Sequence, residues 1–400
     1  MSQLGPWGDR PIAVAVSGGP DSMALAMLAW DWCRASRRAM MVLTVDHGLR
    51  AQSAFEARDV AALMGAREIP CRILTLPDLA PGTGIAARAR EARYQALIAA
   101  CRTAGVIDLL LGHHSRDQAE TLLMRRAKAS GPAGLAGMAG VHLRDGVRLV
   151  RPLLATPHHS LRAELRHRRI AWVEDPSNQD LRSSRVQFRA ELTDPDTETL
   201  VATARDAGTA RAGSEVNTAV WLARHATIRP EGFAYLDALA CPPGALSALI
   251  QAIGGRAYPP SSASVAGLAG NLRPATLAGT RLMKARDAAG FLLLREQSAI
   301  APPVPAEENI LWDQRFRLIK RGRLPELATI GALGPDAARL RDYSHLPASI
   351  LRTLPAIRAG AALLHVPFLS AGALNSDTGT VTCFNPPHPA AGALFRTIEG

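Results

Sequence analysis

Six residues near the start of the chain have the types and spacing of an anion-binding loop: Ser17, Gly18, Gly19, Pro20, Asp21 and Ser22. A β-branched and alanine run precedes them and an apolar helical pattern follows, so they join a buried strand to a helix. Two successive glycines let the backbone approach an anion closely, and the free amides and dipole of the following helix favour negative charge. Because the serine hydroxyls can also donate hydrogen bonds, the loop predicts a phosphate-binding site.

Asp21 is the member of this loop that would repel a phosphate group. A cation between the carboxylate and the phosphate removes that repulsion, which makes Asp21 a candidate Mg²⁺ ligand. The loop is neither a P-loop, because no lysine follows Gly19, nor a GxGxxG dinucleotide fingerprint. The alternative is an ordinary strand–helix turn in which Asp21 or Ser22 only caps the helix.

A second group of reactive side chains follows the predicted fourth strand. Asp117 and Glu120 are three residues apart at the start of a predicted helix, so their carboxylates lie on one face. They could hold Mg²⁺, bind an ammonium group or accept a proton, or they could simply stabilise the first helical turn. His113 and His114 precede them and point to opposite faces of the strand, so one could approach the substrate while the other packs.

Further candidates lie at the end of the second strand and on a long arginine-rich helix. Asp46 and His47 end the second strand, where a doubly wound sheet places the adenine or ribose of a nucleotide. For His47, a strand-end histidine with only a backbone partner is the alternative. Arg90 and Arg93 are three residues apart on one helical face, and the simplest interpretation is that this face is exposed to solvent.

Alternating strands and helices in the first half of the chain position these groups. Such alternation predicts an α/β fold with a doubly wound, mostly parallel sheet that is Rossmann-like and covered on both faces. Ligands then bind beyond the carboxyl ends of the strands. The predicted strands are 12–16, 41–45, 71–76 and 107–111, and the predicted helices are 22–32, 53–64, 85–101 and 117–128.

The second half changes character and divides the chain into three expected domains. We expect a catalytic domain over residues 1–192, a mainly helical domain over 193–300 and a small C-terminal segment over 301–400. A long alanine-rich helical pattern covers 197–227, and the proline-rich stretch 301–306 reads as a linker. One strand is predicted over 310–319, followed by irregular sequence rich in glycine, proline and alanine.

Composition restricts the classes of partner and compartment. The formal net charge is +11 and the isoelectric point is near 10.3, which favours a polyanionic partner such as RNA. Arginines concentrate in 162–169 and again at Arg182, Arg185 and Arg189. The five cysteines form no CxxC pair, which argues against a disulfide scaffold and suits a cytoplasmic location. No apolar run reaches the length of a membrane helix, so no membrane partner is expected.

The six-residue loop resembles the signature of the N-type ATP pyrophosphatases, or PP-loop enzymes. Over residues 10–190 an ordered series of motifs narrows the resemblance to the tRNA(Ile)-lysidine synthase family. After the loop come DHGLR at 46–50, AR and RY at 89–94, HHSRDQAET at 113–121, SGPAGLAGM at 130–138, RPLL at 151–154 and EDPSN at 174–178.

The resemblance implies a ligase that forms a carbon–nitrogen bond. ATP with Mg²⁺ would activate C2 of the first anticodon cytidine of tRNA(Ile) with a CAU anticodon, by adenylating the carbonyl oxygen on that carbon and releasing diphosphate. L-Lysine would then attack that carbon, giving lysidine, AMP and diphosphate. The family pattern gives catalytic roles to Asp21, Asp117, Glu120 and Arg90, and ATP contacts to residues 17–22, Asp46 and His47. It gives substrate or tRNA contacts to His113, His114, Arg151 and Arg185.

The chain departs from the family pattern at several positions. Arg116 stands where the family usually has aspartate, and Lys128-Ala129 replaces an arginine–glycine pair. Arg116 could keep the neighbouring carboxylates ionised or mark a changed lysine pocket. Two alternatives therefore remain: a PP-loop enzyme that thiolates cytidine, which would need cysteine pairs, and a catalytically inactive RNA-binding homologue. The sequence gives no indication of the oligomeric state.

Overall fold

A computed structural model of the chain shows two compact units. The first unit contains Met1–Gly213 together with Ala393–Gly400, and the second contains Ser214–Gly392. Within the described residues, no helix combines the length and apolarity needed to cross a bilayer. The structure describes all residues except 2–3, 47, 49–51, 77–81, 83, 175–187, 189–191, 286–289, 370–377 and 399–400.

The first unit is built on one sheet with helices on both faces. Its strands are β1 Ile12–Val16, β2 Met40–Asp46, β3 Cys71–Thr75, β4 Asp108–Leu110, β5 Val141–Arg144 and β6 Val147–Val150. Its helices are α1 Pro20–Ala35, α2 Ser53–Gly65, α3 Ile85–Thr103, α4 Ser115–Ala127, α5 Pro132–Leu135 and α6 His158–His167. The helix α7, Asp194–His225, begins in this unit and ends in the second.

The strand order within the described sheet is β3-β2-β1-β4-β6-β5. All neighbours pair in parallel except the hairpin of β5 and β6. Strand β1 is central and pairs with β2 on one side and β4 on the other. The doubly wound, mostly parallel sheet predicted from the sequence is therefore confirmed, and its carboxyl edge collects the loops after β1, β2, β4 and β6.

Two apolar cores hold the helices against the sheet. On one face Val14 and Val16 of β1 pack with Met23 and Met27 of α1 and with Leu161 of α6. The opposite-facing core contains residues of α3 and of the sheet, among them Tyr94, Leu97, Leu43, Leu109 and Leu149. Alternate residues of β1 join the two cores, because successive strand side chains point to opposite faces.

The second unit combines helices with antiparallel sheets. The helices are α8 Pro243–Ile253, α9 Ser262–Ala269 and α10 Ala348–Leu351. The first sheet contains β7 Ala226–Arg229, β8 Phe233–Leu236, β9 Ala275–Leu277, β10 Thr280–Lys284 and β11 Phe291–Arg295. The others contain β12 Val304–Pro305, β13 Leu311–Trp312, β14 Phe316–Lys320, β15 Ala328–Ala332, β16 Pro355–Ala359, β17 Ala362–His365 and β18 Val381–Phe384. Within the described residues the strand orders are β7-β8-β11-β10-β9, β12-β15-β16-β17 and β13-β14-β18.

The region after residue 300 differs from the sequence-based expectation. The predicted strand 310–319 is two strands, β13 and β14, separated by a turn in which Asp313 and Gln314 have positive φ angles of 51° and 53°. The segment predicted to be irregular contributes β15 to β18. These strands are only four or five residues long, and β15 and β16 each contain two alanines, so their hydrophobic alternation is too weak to see in the sequence.

The turn between β13 and β14 exists because Asp313 is the centre of a buried ion network. Its carboxylate accepts hydrogen bonds from Arg295 at 2.8 and 3.0 Å and from Arg315 at 2.7 Å. Arg315 is fully buried and also donates to the carbonyl groups of Gly232 and Thr353. Burial alone would raise the pKa of Asp313, but the hydrogen bonds and charges of the two arginines outweigh it and lower that pKa.

We expect Asp313→Asn to lower the free energy of unfolding by about 3–5 kcal/mol, because it leaves two buried guanidinium groups without their counter-charge. The Asp313 carboxylate stabilises the fold above its unfolded pKa, and that contribution is lost as the pH falls through the folded pKa. Urea unfolding at neutral and acidic pH measures both effects. The exposed Asp342→Asn is the matched control, and an equal loss in the two variants would contradict the prediction.

Candidate active site

Hydrogen bonds made by Ser17 and Ser22 fix the conformation of the loop over residues 17–22. The hydroxyl of Ser22 accepts a hydrogen bond from the amide of Ser17 at 3.1 Å and donates to the carbonyl of Gly19 at 3.0 Å. The two serine hydroxyls lie 3.2 Å apart. Helix α1 begins at Pro20 and has no side-chain cap, so its first amides remain available to an external anion.

Gly18 gives this loop its shape. Its φ angle is +85°, a conformation that side-chain-bearing residues rarely adopt. Its carbonyl accepts a hydrogen bond from the amide of Val173 at 2.9 Å, which ties the loop to the segment after α6. A side chain at this position would therefore strain the backbone, although its Cβ would make only van der Waals contact with a methyl carbon of Val60 at 3.4 Å.

His114 joins the phosphate loop to the start of α4. Its Nε2 lies 3.5 Å from Oδ2 of Asp21 and 3.5 Å from Oδ2 of Asp117. Its Nδ1 accepts a hydrogen bond from the amide of Arg116 at 3.2 Å, so the proton of the neutral ring lies on Nε2 and faces both carboxylates. The fold thus brings Asp21 of the loop together with His114 and Asp117, which the sequence analysis placed in a separate group.

The same residues also cap helix α4. The amide of His114 donates to Oδ2 of Asp117 at 3.0 Å, which completes a reciprocal capping box. Glu120 lies one turn further along the helix and is fully buried. Asp117 therefore stabilises the first turn of α4, which was the alternative to a catalytic role. Its catalytic role stays a proposal, and that role must be compatible with the capping hydrogen bond.

Gly112 is a site residue that the sequence interpretation missed. A Cβ at this position would lie 3.0 Å from the Cα and 3.1 Å from the amide nitrogen of Ser22. The connection between β4 and α4 therefore passes directly over the first turn of α1, and only glycine leaves room for it. A lone glycine at the end of a strand is the available sequence signal for such a close approach.

The glycine-rich segment after α4 is fastened to that helix. The side-chain amide of Gln118 exchanges two hydrogen bonds with the backbone of Met138, at 2.7 and 3.1 Å. Arg125 donates to the carbonyl groups of Gly134 and Gly137. Arg151, which follows β6, donates to the carbonyl of Ala139 at 2.8 Å. Helix α4 therefore positions the carboxylates of Asp117 and Glu120 as well as the glycine-rich segment.

Arginines surround the buried ring of Tyr94 on α3. The guanidinium of Arg90 lies 5.3 Å from the ring centroid and also reaches the hydroxyl at 3.4 Å. Arg93 and Arg144 approach the same ring, at 6.0 and 5.6 Å. Burial lowers the pKa of Arg93 and of Arg151, although neither loses its charge near neutral pH.

Of the remaining predicted site residues, the structure describes Asp46 and His113. Oδ1 of Asp46 accepts hydrogen bonds from the amide of Gly48 and the hydroxyl of Ser53, so this carboxylate stabilises the start of α2. His113 is partly buried at the end of the β4 connection. His47 and Arg185 lie outside the described residues, and their predicted contacts with ATP and tRNA stay predictions.

A groove opens beside the start of α4. Its apolar wall includes Ala155, Pro157 and Val201, and its polar wall includes Arg116, His158, His159, Asp194 and Glu198. One guanidinium nitrogen of Arg116 donates to the carbonyl of Leu192 at 2.9 Å, which ties α4 to the segment preceding α7. Burial is the largest cause that lowers the pKa of His158, with the nearby charge of Arg116 adding to it.

Comparison with known proteins agrees with this architecture. The model of the PP-loop domain family matches residues 2–195, so the fold and its phosphate loop define a PP-loop ATP-binding protein. A tRNA(Ile)-lysidine synthase of Mesorhizobium japonicum is 38% identical over 84% of this chain and 79% of its own length. That of Brucella suis is 34% identical over 90% of this chain and 86% of its own length. The chain belongs to the tRNA(Ile)-lysidine synthase family.

Similarity is higher when the match is confined to about half of the chain. The tRNA(Ile)-lysidine synthase of Bradyrhizobium diazoefficiens is 48% identical over 183 residues, which cover 45% of this chain. That alignment spans only 51% of the relative's own length, and a second relative, of Rhodopseudomonas palustris, is matched over 54% of its length. The family therefore rests on the two relatives that are matched over most of their length, whereas the reaction and its substrates are a separate inference.

We expect Gly112→Ala to weaken ATP binding by about 10- to 100-fold, because its methyl group would displace the first turn of α1 by a few tenths of an ångström. The accompanying loss of stability should be only about 1–3 kcal/mol. Calorimetric titration with ATP measures the affinity. Gly65→Ala, where a Cβ meets nothing within 4 Å, is the control, and equal ATP affinity in the two variants would exclude this role.

Proposed function

We propose that this chain ligates L-lysine to C2 of the first anticodon cytidine of tRNA(Ile), using ATP and releasing AMP and diphosphate. The observation that carries the proposal is the position of His114 between Asp21 and Asp117, at the uncapped start of α1. This arrangement places a carboxylate pair and a ring N–H beside a phosphate-binding helix end. Membership of the family supports the choice of substrates.

In the first step the loop would bind and orient the triphosphate. The amides at the start of α1 and the hydroxyls of Ser17 and Ser22 would donate to phosphate oxygens, in line with the attacking carbonyl oxygen of cytosine. Arg90, exposed on α3, would neutralise charge that develops on the phosphates. An adenylated cytidine is the expected intermediate.

The residues present fit the Mg²⁺ ion that the family implies. Oδ1 of Asp21 is buried and makes no hydrogen bond to the described residues, which suits an oxygen reserved for a cation. Asp21 would hold the ion. Oδ2 of Asp117 lies 3.5 Å from the same His114 nitrogen as Oδ2 of Asp21, so Asp117 would be near enough to add a second carboxylate. When bound, Mg²⁺ would neutralise the charge of the departing diphosphate.

In the second step the amine of lysine must lose a proton before it attacks C2. Asp117 would orient the ammonium group and accept that proton, because its carboxylate lies in the first turn of α4, 3.5 Å from the ring of His114. Glu120 is fully buried, so we propose that it acts on the reaction indirectly, through its place in the packing of α4 one turn beyond Asp117. The adjacent groove suits the rest of the amino acid: Ala155 and Val201 border an apolar slot for the methylene chain.

The opposite charges in this groove match a free amino acid. Glu198 and Asp194 offer carboxylates to the α-ammonium group, and Arg116 offers a guanidinium to the α-carboxylate. Arg116 replaces the aspartate that is usual in the family, and its side chain reaches the Leu192 carbonyl. The substitution therefore adds a cation to the groove wall and leaves the capping box of α4 intact.

We place the tRNA contacts on the basic surfaces that the sequence identified. The arginines of α6 and the predicted contact Arg185 would bind phosphates, and the helical region after residue 193 would contribute to tRNA binding. Such contacts weaken steeply with salt, whereas the lysine groove should be less sensitive. We propose a cytoplasmic location, where ATP and tRNA are available.

Cytidine thiolation is the less favourable alternative. That chemistry needs reactive thiols or an iron–sulfur cluster. Burial raises the pKa of Cys33 and Cys71 to about 11, and that of Cys101 and Cys241 to about 12. These thiols are therefore protonated and unreactive at neutral pH. An inactive homologue is less favourable too, because Asp21, Asp117 and Glu120 are all retained.

We expect the purified chain to convert transcribed tRNA(Ile) with a CAU anticodon to the lysidine form in the presence of ATP, Mg²⁺ and L-lysine. Asp21→Asn should reduce formation of the adenylated intermediate by ~100-fold or more, since it removes the carboxylate proposed to hold Mg²⁺ beside the phosphates. Mass spectrometry of the digested tRNA gives the readout, with exposed Asp59→Asn as control. A wild-type chain that yields no lysidine would refute the proposed function.

We expect Glu198→Gln to raise the KM for lysine by about 5-fold while the rate of adenylation without lysine stays unchanged, since an exposed ion pair is worth up to about 1 kcal/mol. Steady-state kinetics with varied lysine measure the change. Asp206→Asn, exposed further along the same helix, is the matched control. A KM equal to that of the wild type would remove the groove as the lysine site.

A further inference from the structure

Three side chains with metal-ligating atoms meet where helices α6 and α7 begin. His158 and His159 are the first two residues of α6, and Asp194 is the first residue of α7. Each offers one ligand atom, and these atoms all lie within 4.8 Å of one another. Nδ1 of His159 is 3.8 Å from Oδ2 of Asp194, so these two groups already face each other. The fold therefore gathers two imidazoles and a carboxylate at one point.

The spacing of these atoms suits a single metal ion. Zn²⁺ binds imidazole nitrogens and carboxylate oxygens at about 2.0–2.2 Å, so tetrahedral neighbours lie about 3.4 Å apart. Closing a separation of 4.8 Å to that spacing requires each side chain to move by about 1 Å. The side chains of His159 and Asp194 are 61% and 65% exposed, so they can rotate without disturbing a core.

Helix α4 fixes the backbone on both sides of the cluster. The amide of Ser115 donates to the carbonyl of Thr156 at 3.1 Å, two residues before α6 begins. The guanidinium of Arg116 donates to the carbonyl of Leu192 at 2.9 Å, two residues before α7 begins. Both helix starts are therefore tied to the same element, and coordination needs side-chain rotation rather than backbone movement.

The donor set and the surrounding charges decide which ion fits. Two imidazole nitrogens with one carboxylate suit Zn²⁺ and similar transition metals, whereas Mg²⁺ prefers oxygen ligands throughout. Glu198 lies four residues after Asp194 on α7 and lines the same groove, which adds a second negative charge. Arg116 is the opposing cation in the groove wall. The two carboxylates outnumber it, so the local charge favours a cation.

We propose that His158, His159 and Asp194 form a site for Zn²⁺ or a similar divalent transition-metal ion in the groove beside α4. Three protein ligands leave a fourth tetrahedral position for water. A bound ion would occupy part of the groove and engage the Asp194 carboxylate, so it would compete with lysine. That competition rests on the proposed function, whereas the metal site itself does not.

Calorimetric titration of the untagged chain with ZnCl₂ tests the site, in a buffer with excess Mg²⁺ to fill oxygen-only sites. His159→Gln and Asp194→Asn should each weaken Zn²⁺ binding by ~100-fold, because a lost ligand costs at least as much as a lost outer-shell partner. His167→Gln, exposed at the end of the same helix, and Asp206→Asn, exposed on α7, are the matched controls and should bind like the wild type.

Thermal unfolding gives a second readout that does not depend on activity. Zn²⁺ should raise the melting temperature of the wild type and of both controls, because an ion held by the starts of two helices binds only the folded chain. His159→Gln and Asp194→Asn should lose that increase. A wild type that binds no Zn²⁺, or two variants that bind it as tightly as the wild type, would overturn the site.

Lysine kinetics separate the metal site from the proposed function. Saturating Zn²⁺ should raise the KM for lysine in the wild type and leave that of His159→Gln at its metal-free value. If Zn²⁺ binds through these side chains but the KM is unchanged, the metal site stands and the groove is rejected as the lysine site. A chain that forms lysidine but binds no Zn²⁺ rejects the metal site and keeps the function.

Discussion

The close approach of two helix starts, α1 and α4, is the constraint on which the candidate site depends. Gly112 permits it, because any side chain there would press on the backbone of Ser22. His114 then exploits it, since one ring nitrogen caps α4 while the other faces Asp21 and Asp117. Oδ2 of Asp117 takes part both in the cap and in the contact with Nε2 of His114, so forming the cap of α4 also orients these two residues beside Asp21.

The chain deals with buried charge in two opposite ways. In the second unit, Asp313 receives hydrogen bonds from Arg295 and Arg315, and the network is internally balanced. Around Tyr94 in the first unit, Arg93 and Arg151 have no such acid among the described residues. The Asp313 network is balanced by its own carboxylate, whereas Arg93 lies over the face of the Tyr94 ring and Arg151 donates to the carbonyl of Ala139.

The sequence predicted what local patterns determine and missed what distant contacts determine. The strand 12–16 was predicted with correct bounds, because a short apolar run ends at a glycine pair. The loop residues and the acids of α4 were also identifiable by type and spacing. The contact of Gly112 with Ser22 joins positions 90 residues apart. The turn at Asp313, which separates β13 from β14, depends on its ion pair with the buried Arg295, 18 residues earlier. Neither feature therefore has a local signature in the sequence.

Arg116 shows why a departure from a family pattern need not disable a site. Its backbone amide completes the cap of α4, a role that any residue other than proline can fill. Its side chain leaves the capped turn and reaches the Leu192 carbonyl at the groove wall. A charge reversal at this position therefore changes the groove and leaves the carboxylates of Asp21 and Asp117 in place. Because Asp194 and Glu198 form the other wall, the added cation makes the groove carry both signs, as a zwitterionic ligand requires.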